Sequence, residues 1–294
     1  MKLLNYLTDT GVRLGVKMPY GVLDSAVVCG HTDLPAFTST DELLASGQLV
    51  RFVKAAQSLE QGLAGDAQIL SESDLNFSPC LLAPEKIICL GFNYQRHAAE
   101  TDTVAPDYPV LFSKFNNSLS AHGSKVELPT KVAKMFDYEA ELVVVVGSTA
   151  TDVEQEEALE YVAGYCVGND LSARDLQWRT SQFLLGKTSD GFAPIGPYLV
   201  TADAVPDPDS LDIACYVNGE RRQSSNTSDM IFKCAFTVSY VSRYMTLRPG
   251  DLLFMGTPEG VVWGQPETER RWLKPGDELV TEIQGLGRQR VQLV

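Results

Sequence analysis

The chain has 294 residues, 44% of them hydrophobic and 21% charged, and carries a formal net charge of −14. Its acidic surplus, with no basic stripe to neutralise phosphates, excludes a nucleic-acid binder. The absence of any apolar run of about eighteen residues excludes a helical membrane span. What is left is a globular chain long enough for one large core, or for a large and a small domain.

The opening MKLLNYLTDTGVRLGV has a lysine but no long apolar stretch and no small-residue cleavage site. It reads as a first strand rather than a targeting peptide, and the expected location is cytoplasmic. Short apolar runs broken by Gly and Pro in GVRLGVKMPYGVLDSAVV predict a small antiparallel sheet. TDELLASGQLVRFVKAAQSLEQGLA follows with helical spacing at Leu43, Leu44, Leu49, Phe52, Val53 and Ala56, and with a break at Gly47. NFSPCLLAPEK serves as a connector, so residues 1–80 are expected to form a small N-terminal domain and residues 84–294 the main one.

From Lys86 onward strands dominate. KIICLG and ELVVVV suit buried strands. TDVEQEEALEYVAG predicts a helix with a capping box from Thr151 to Glu154 and an exit at Gly164. LDIACYVNGERRQSS predicts a hairpin around Asn218-Gly219. LRPGDLLFMGTPEG and LKPGDELVTEIQGLG each set a Pro-Gly-Asp turn before a strand. With few helices and no regular βαβ alternation, the fold class is α+β, rich in β, with a rolled or barrel-like sheet. Cys29, Cys80, Cys89, Cys166, Cys215 and Cys234 include no CxxC pair and sit mostly in apolar runs, as buried reduced thiols do.

Three features carry chemistry. In MFDYEAELVVVV, Glu139 and Glu141 project from one face of a strand, and Asp137 joins them if the strand starts early. Alone, such a pair equally suits a solvated strand entrance. GYCVGNDLSARDLQWR brings Asp170 to the exit of another apolar run, followed by a helical turn on which Arg174 and Gln177 share a face. If the two strands are neighbours, three oxygen ligands converge, a set that suits Mg²⁺ or Mn²⁺ rather than zinc; otherwise Asp170 is a helix cap. In CLGFNYQRHAAETD, His97 and Glu100 fall on one face of a helical turn, where the carboxylate can orient the imidazole as a general base. A surface helix would also carry such a pair.

Together these blocks resemble the fumarylacetoacetate hydrolase family. Its lid pattern is matched by Asn93, Tyr94, His97 and Glu100, and its metal pattern by Glu139, Glu141 and the run Asn169 to Asp175. Gly186-Lys187-Thr188, Pro194 to Pro197, Val217 to Glu220, Ser228 to Ile231 and Gly256 to Val261 follow in the family's order. The resemblance implies a rolled β-rich catalytic domain, usually in a homodimer, with one Mg²⁺ or Mn²⁺ per subunit on Glu139, Glu141 and Asp170. It implies catalytic roles for His97, Glu100 and Lys187, and substrate contacts from Tyr94, Lys114, Arg174, Gln177 and Thr257. Phe92, Phe115 and Gly191 depart from the family's usual residues near the pocket entrance.

The implied partner is a small anionic 2-oxo acid. The expected activity is hydrolysis of a C–C bond in an acylpyruvate-type 2,4-dioxo acid through a metal-stabilised pyruvate enolate. Oxaloacetate decarboxylation and enol–keto tautomerisation share that enolate and are the alternatives. A relative that binds a keto acid without turning it over is the reading of another class.

Overall fold

The computed structural model describes residues 1–62, 69–100 and 104–294. Positions 63–64 of the expected N-terminal helix and positions 101–103 after Glu100 lie outside the described residues. Among the described residues the larger sheet has eleven strands. Its middle is the antiparallel pair Ala140–Val146 and Val162–Asn169, in register from Ala140↔Asn169 and Glu141↔Gly168 onward. Leu252–Phe254 pairs with Ala140–Val146 on the other side, then Ile87–Gly91 in parallel with it, then Val110–Lys114 at the edge. A second sheet of five strands joins Asp212–Val217, Glu220–Asn226, Glu278–Ile283, Gly287–Leu293 and Lys125–Val126. Neither sheet closes on itself among the described residues, so the rolled architecture is an open one.

AELVVVV is buried at every position because both of its faces are covered. Leu142, Val144 and Val146 enter a core shared with Ile213, Leu279 and Val291 of the second sheet. Val143 and Val145 point the other way, into a core shared with Leu14, Leu43 and Phe52 of the N-terminal segment. A two-residue period thus divides one apolar run between two cores.

The N-terminal strands Lys2–Thr8, Gly11–Met18 and Gly21–Asp24 form the expected antiparallel sheet. That sheet continues the large one, because Lys2 and Leu3 pair with Val200 and Leu199. Helices Thr40–Ala45 and Leu49–Gly62 are separated at Gly47, whose φ of 68° a side chain would resist. The hairpin turns at Asn218 and Gly219, both left-handed. All six cysteines are buried and free.

The expected helix over residues 151–164 does not form. Only a 3-10 turn, Ala158–Tyr161, precedes the strand Val162–Asn169. The reason is tertiary: Thr151 bonds Thr246, and the Asp152 and Val153 N–H groups donate to Ser242, so the capping donors are taken from outside. Gly164 is a strand residue, and a Cβ there would lie 2.0 Å from the Val200 carbonyl oxygen. We therefore expect Gly164→Ala to lower unfolding free energy by about 3 kcal/mol through forced separation of the strands. The check is a reduced urea midpoint at unchanged slope; an unchanged midpoint would contradict the packing described.

Candidate active site

The register of the central pair decides what meets at its end. Glu139 stands one residue before Ala140–Val146, and Asp170 one residue after Val162–Asn169. The Asp170 N–H donates to the Glu139 carbonyl (2.9 Å), and the Glu139 N–H to the Asn169 side chain (3.1 Å). The Asn169 amide reaches Thr281 (2.9 Å), tying this corner to the second sheet. Carboxylate oxygens of Glu139, Glu141 and Asp170 consequently lie within 4.8 Å of one another, all three residues being buried.

So much buried negative charge needs cations. Lys187 Nζ lies 2.7 Å from both Glu139 Oε2 and Asp170 Oδ2. Arg174 Nη2 lies 2.7 Å from Glu139 Oε1, and its Nε donates to Asp137 (2.9 Å). Lys114 donates to Asp170 from behind. Burial would raise the Glu139 carboxyl, but the charges of Lys187 and Arg174 outweigh it and hold the group down to about 2. Burial would likewise lower Lys187, yet Asp170 and Glu139 raise it, so it stays an ammonium. Glu141 differs. It accepts the Gly256 N–H (2.7 Å) and has no ion pair among the described residues; burial, then Asp170, then Glu139 push it well above the ordinary carboxyl range. A three-oxygen set with one uncompensated member fits a hard divalent cation.

Facing the carboxylates is a pocket of about 30 Å³, room for about one or two waters. Its polar lining is Glu139, Arg174, Gln177, Lys187, Thr257 and His97. Phe92, Phe112, Trp178, Phe183 and Trp263 supply aromatic walls. Arg174 Nη1 donates to Gln177 Oε1 (2.9 Å), which orients the amide. Thr257 Oγ1 accepts from Gln223 (2.9 Å).

His97 and Glu100 lie on the short helix Gln95–Glu100, with Nδ1 and Oε2 3.6 Å apart. Both Glu100 oxygens accept the Gly260 N–H (3.1 Å), and Gly264 packs so closely on this carboxylate that a Cβ would collide with it. The helix thus caps the pocket.

Two residues with expected substrate contacts do not line this pocket. Lys114 is buried against Asp170 and the Leu171 carbonyl, outside the pocket lining. Tyr94 is fully buried in the core, its hydroxyl without a hydrogen-bond partner among the described residues. Asp137 turns away from the three carboxylates; besides Arg174 it accepts the Tyr138, Val262 and Trp263 N–H groups (2.9, 2.8 and 3.0 Å). Gln223 was not singled out from the sequence, yet it clasps Ala140 N–H, Thr257 and the Pro258 carbonyl from the second sheet. Nothing in the hairpin sequence marks it. Trp178 and Trp263 come from separate segments that the pattern of the chain does not connect.

Residues 86–294 match the family model described as fumarylacetoacetate (FAA) hydrolase C-terminal. The chain belongs to the fumarylacetoacetate hydrolase family. It is 39% identical over 270 residues to the rat oxaloacetate tautomerase Fahd2a, mitochondrial, covering 92% of this chain and 85% of that one. With the Dictyostelium discoideum fumarylacetoacetate hydrolase domain-containing protein 2 homolog it shares 45% identity over 216 residues, 70% of each chain. Among solved structures it is similar to the fumarylacetoacetate hydrolase of Exiguobacterium antarcticum (TM-score 0.83, 33% identity, 100% and 99% covered). It is also similar to a maleylpyruvate hydrolase of Sphingobium solved with manganese(II) and pyruvate (TM-score 0.80, 28% identity, 100% and 99% covered). The rat relative is named as a tautomerase and the two solved structures as hydrolases.

Asp137 gives a direct test of the charge balance. Asp137→Ala strips one partner from buried Arg174 and three N–H groups of their acceptor, and should cost about 3–5 kcal/mol of stability. Asp137→Asn should cost less, since an amide oxygen still accepts. Equal stability of all three proteins in denaturant titration would contradict the role described.

Proposed function

We propose that the protein is a divalent-metal-dependent keto–enol tautomerase of small 2-oxo acids, with oxaloacetate as the substrate to test first. The observation that carries this is one compact, aromatic-walled pocket lined by both Glu139, a member of the buried carboxylate cluster, and His97, which pairs with Glu100. Similarity of 39% or more to oxaloacetate tautomerases supports it. The expectation from sequence put hydrolysis first. Tautomerisation moves ahead because relatives 39% identical to this chain are named oxaloacetate tautomerases, and because it needs only a proton moved within the substrate.

Glu139, Glu141 and Asp170 would hold the cation. When bound, Mg²⁺ or Mn²⁺ supplies Lewis-acid polarisation of a 2-oxo group. Lys187 and Arg174 keep Glu139 ionised, and Lys187 and Lys114 pair directly with Asp170. Gln177 and Thr257 offer hydrogen bonds to the substrate's carboxylate end, each held from behind by Arg174 or Gln223. His97, oriented by Glu100, takes the proton from the carbon next to the ketone and returns it to the ketone oxygen, which yields the enol; the reverse path restores the ketone. The aromatic walls and the capping helix keep bulk water from quenching the exchange.

Acylpyruvate hydrolysis is the second reading, favoured by the same His97–Glu100 pair, which could instead activate water. A Mn²⁺-loaded sample given enol-oxaloacetate and acetylpyruvate separates them. Rapid loss of the enol signal without CO₂ or acetate release supports the tautomerase; pyruvate with acetate supports the hydrolase; pyruvate with CO₂ identifies a decarboxylase. Silence on every substrate would sink the enzymatic reading. His97→Ala should lower the tautomerase rate by about 10²–10⁴.

Cation binding is tested without turnover. We expect calorimetry to find one Mn²⁺ per chain, with affinity falling about 100-fold or more in Glu141→Gln, a loss at least as large as that typical of outer-sphere partners. Unchanged affinity in that variant would remove Glu141 from the ligand set.

A further inference from the structure

Phe92 has a left-handed backbone, φ 55°, which bulky side chains rarely adopt. It follows the strand Ile87–Gly91 and immediately precedes the segment that carries the capping helix. Its neighbours leave it no other course. The Asn93 side chain donates to the carbonyls of Phe232 (3.0 Å) and Met255 (2.7 Å) and accepts the Phe232 N–H (2.7 Å), while the Asn93 carbonyl accepts the Ile231 N–H (2.7 Å).

On the other side Gly256 presses against the turn. A Cβ there would lie 2.8 Å from Asn93 Cβ and 3.0 Å from the Leu90 carbonyl oxygen. Gly256 is also the residue whose N–H holds Glu141 (2.7 Å). The residues flanking Phe92, Leu90 and Asn93, are therefore packed against the backbone that orients one of the three carboxylates.

What this conformation achieves is the placement of one ring. The Phe92 phenyl lies nearly parallel to the His97 imidazole, 15° between planes and 6.3 Å between centroids, an offset stack. Both rings line the pocket. A right-handed or extended Phe92 would aim its ring elsewhere, and a glycine would leave that face of the imidazole uncovered. A strained residue whose side chain meets the proposed base is the pattern expected where strain serves function.

We propose that Phe92 is a positioning residue: its enforced left-handed turn lays the phenyl against His97 and fixes the plane in which the imidazole meets the substrate. The proposal rests on His97 being the proton carrier of the tautomerase reading, although the stack itself can be tested without turnover.

The experiment compares Phe92→Gly, Phe92→Leu and Phe92→Tyr in the full chain with diamagnetic Mg²⁺. Glycine adopts this φ freely, so folded protein should persist at the assay temperature while the ring is lost. We expect kcat to fall at least about tenfold in the Gly and Leu variants with KM within about twofold, and the Tyr variant to stay near wild type. The chain has three histidines, so ring resonances of His97 can be assigned with a His97→Asn variant. They should shift in the Gly and Leu variants as the ring current vanishes, and return in the Tyr variant. Unmoved His97 resonances overturn the proposal, as do a kcat within about twofold of wild type in Phe92→Gly and a loss of rate explained by unfolding. If the wild type turns over no substrate but the resonances move as expected, the functional reading fails while the stack stands.

Discussion

Everything at this site follows from keeping four carboxylates dry. Asp137, Glu139, Glu141 and Asp170 are all buried, and three cations, Lys114, Arg174 and Lys187, are buried with them. An unpaired charge in such surroundings is strongly destabilising, so each cation is committed to particular oxygens rather than left available to a ligand. One carboxyl is left without an ion pair among the described residues, that of Glu141, whose hydrogen-bond support is the Gly256 N–H. A buried three-carboxylate cluster with one member unpaired is a site that a divalent cation would complete.

The compensation depends in turn on strand register. Because side chains alternate, a slip of one residue between Ala140–Val146 and Val162–Asn169 would bury Ala140 where Glu141 stands and carry Asp170 away. The two cores either side of AELVVVV guard against that slip, and the second sheet locks the corner through Asn169–Thr281 and Gln223. The segment 256–264 then serves several partners at once: it holds Glu141 and Glu100 by backbone donors and gives Thr257 and Trp263 to the pocket. Pocket, cap and carboxylates are thus mechanically one unit.

Much of this was legible in the sequence because the signals are local. Parity on one strand placed Glu139 with Glu141, the spacing of His97 and Glu100 placed them on one helical face, and Asn218-Gly219 marked its turn. Chain order of short motifs carried the family. What escaped notice is long-range. Residues 151–164 have helical residues and a capping pattern, but Ser242, distant in sequence, takes the donors a cap would need. Lys114 reads as a cation for substrate, and its pairing with Asp170 cannot be read from the sequence. Asp137 has the right parity, yet the strand is interrupted between Phe136–Asp137 and Ala140, and its carboxylate turns to Arg174. Gln223 has no sequence signature because its work is set wholly by which strand folds over it.

The most direct test of the central claim is crystallographic. Crystals grown with Mn²⁺ and measured near the manganese absorption edge should give one anomalous peak per chain, bounded by the side chains of residues 139, 141 and 170, with coordination positions open toward His97. A peak anywhere else, or an ion whose positions toward the imidazole are filled by protein, would contradict the chemistry assigned to this cluster.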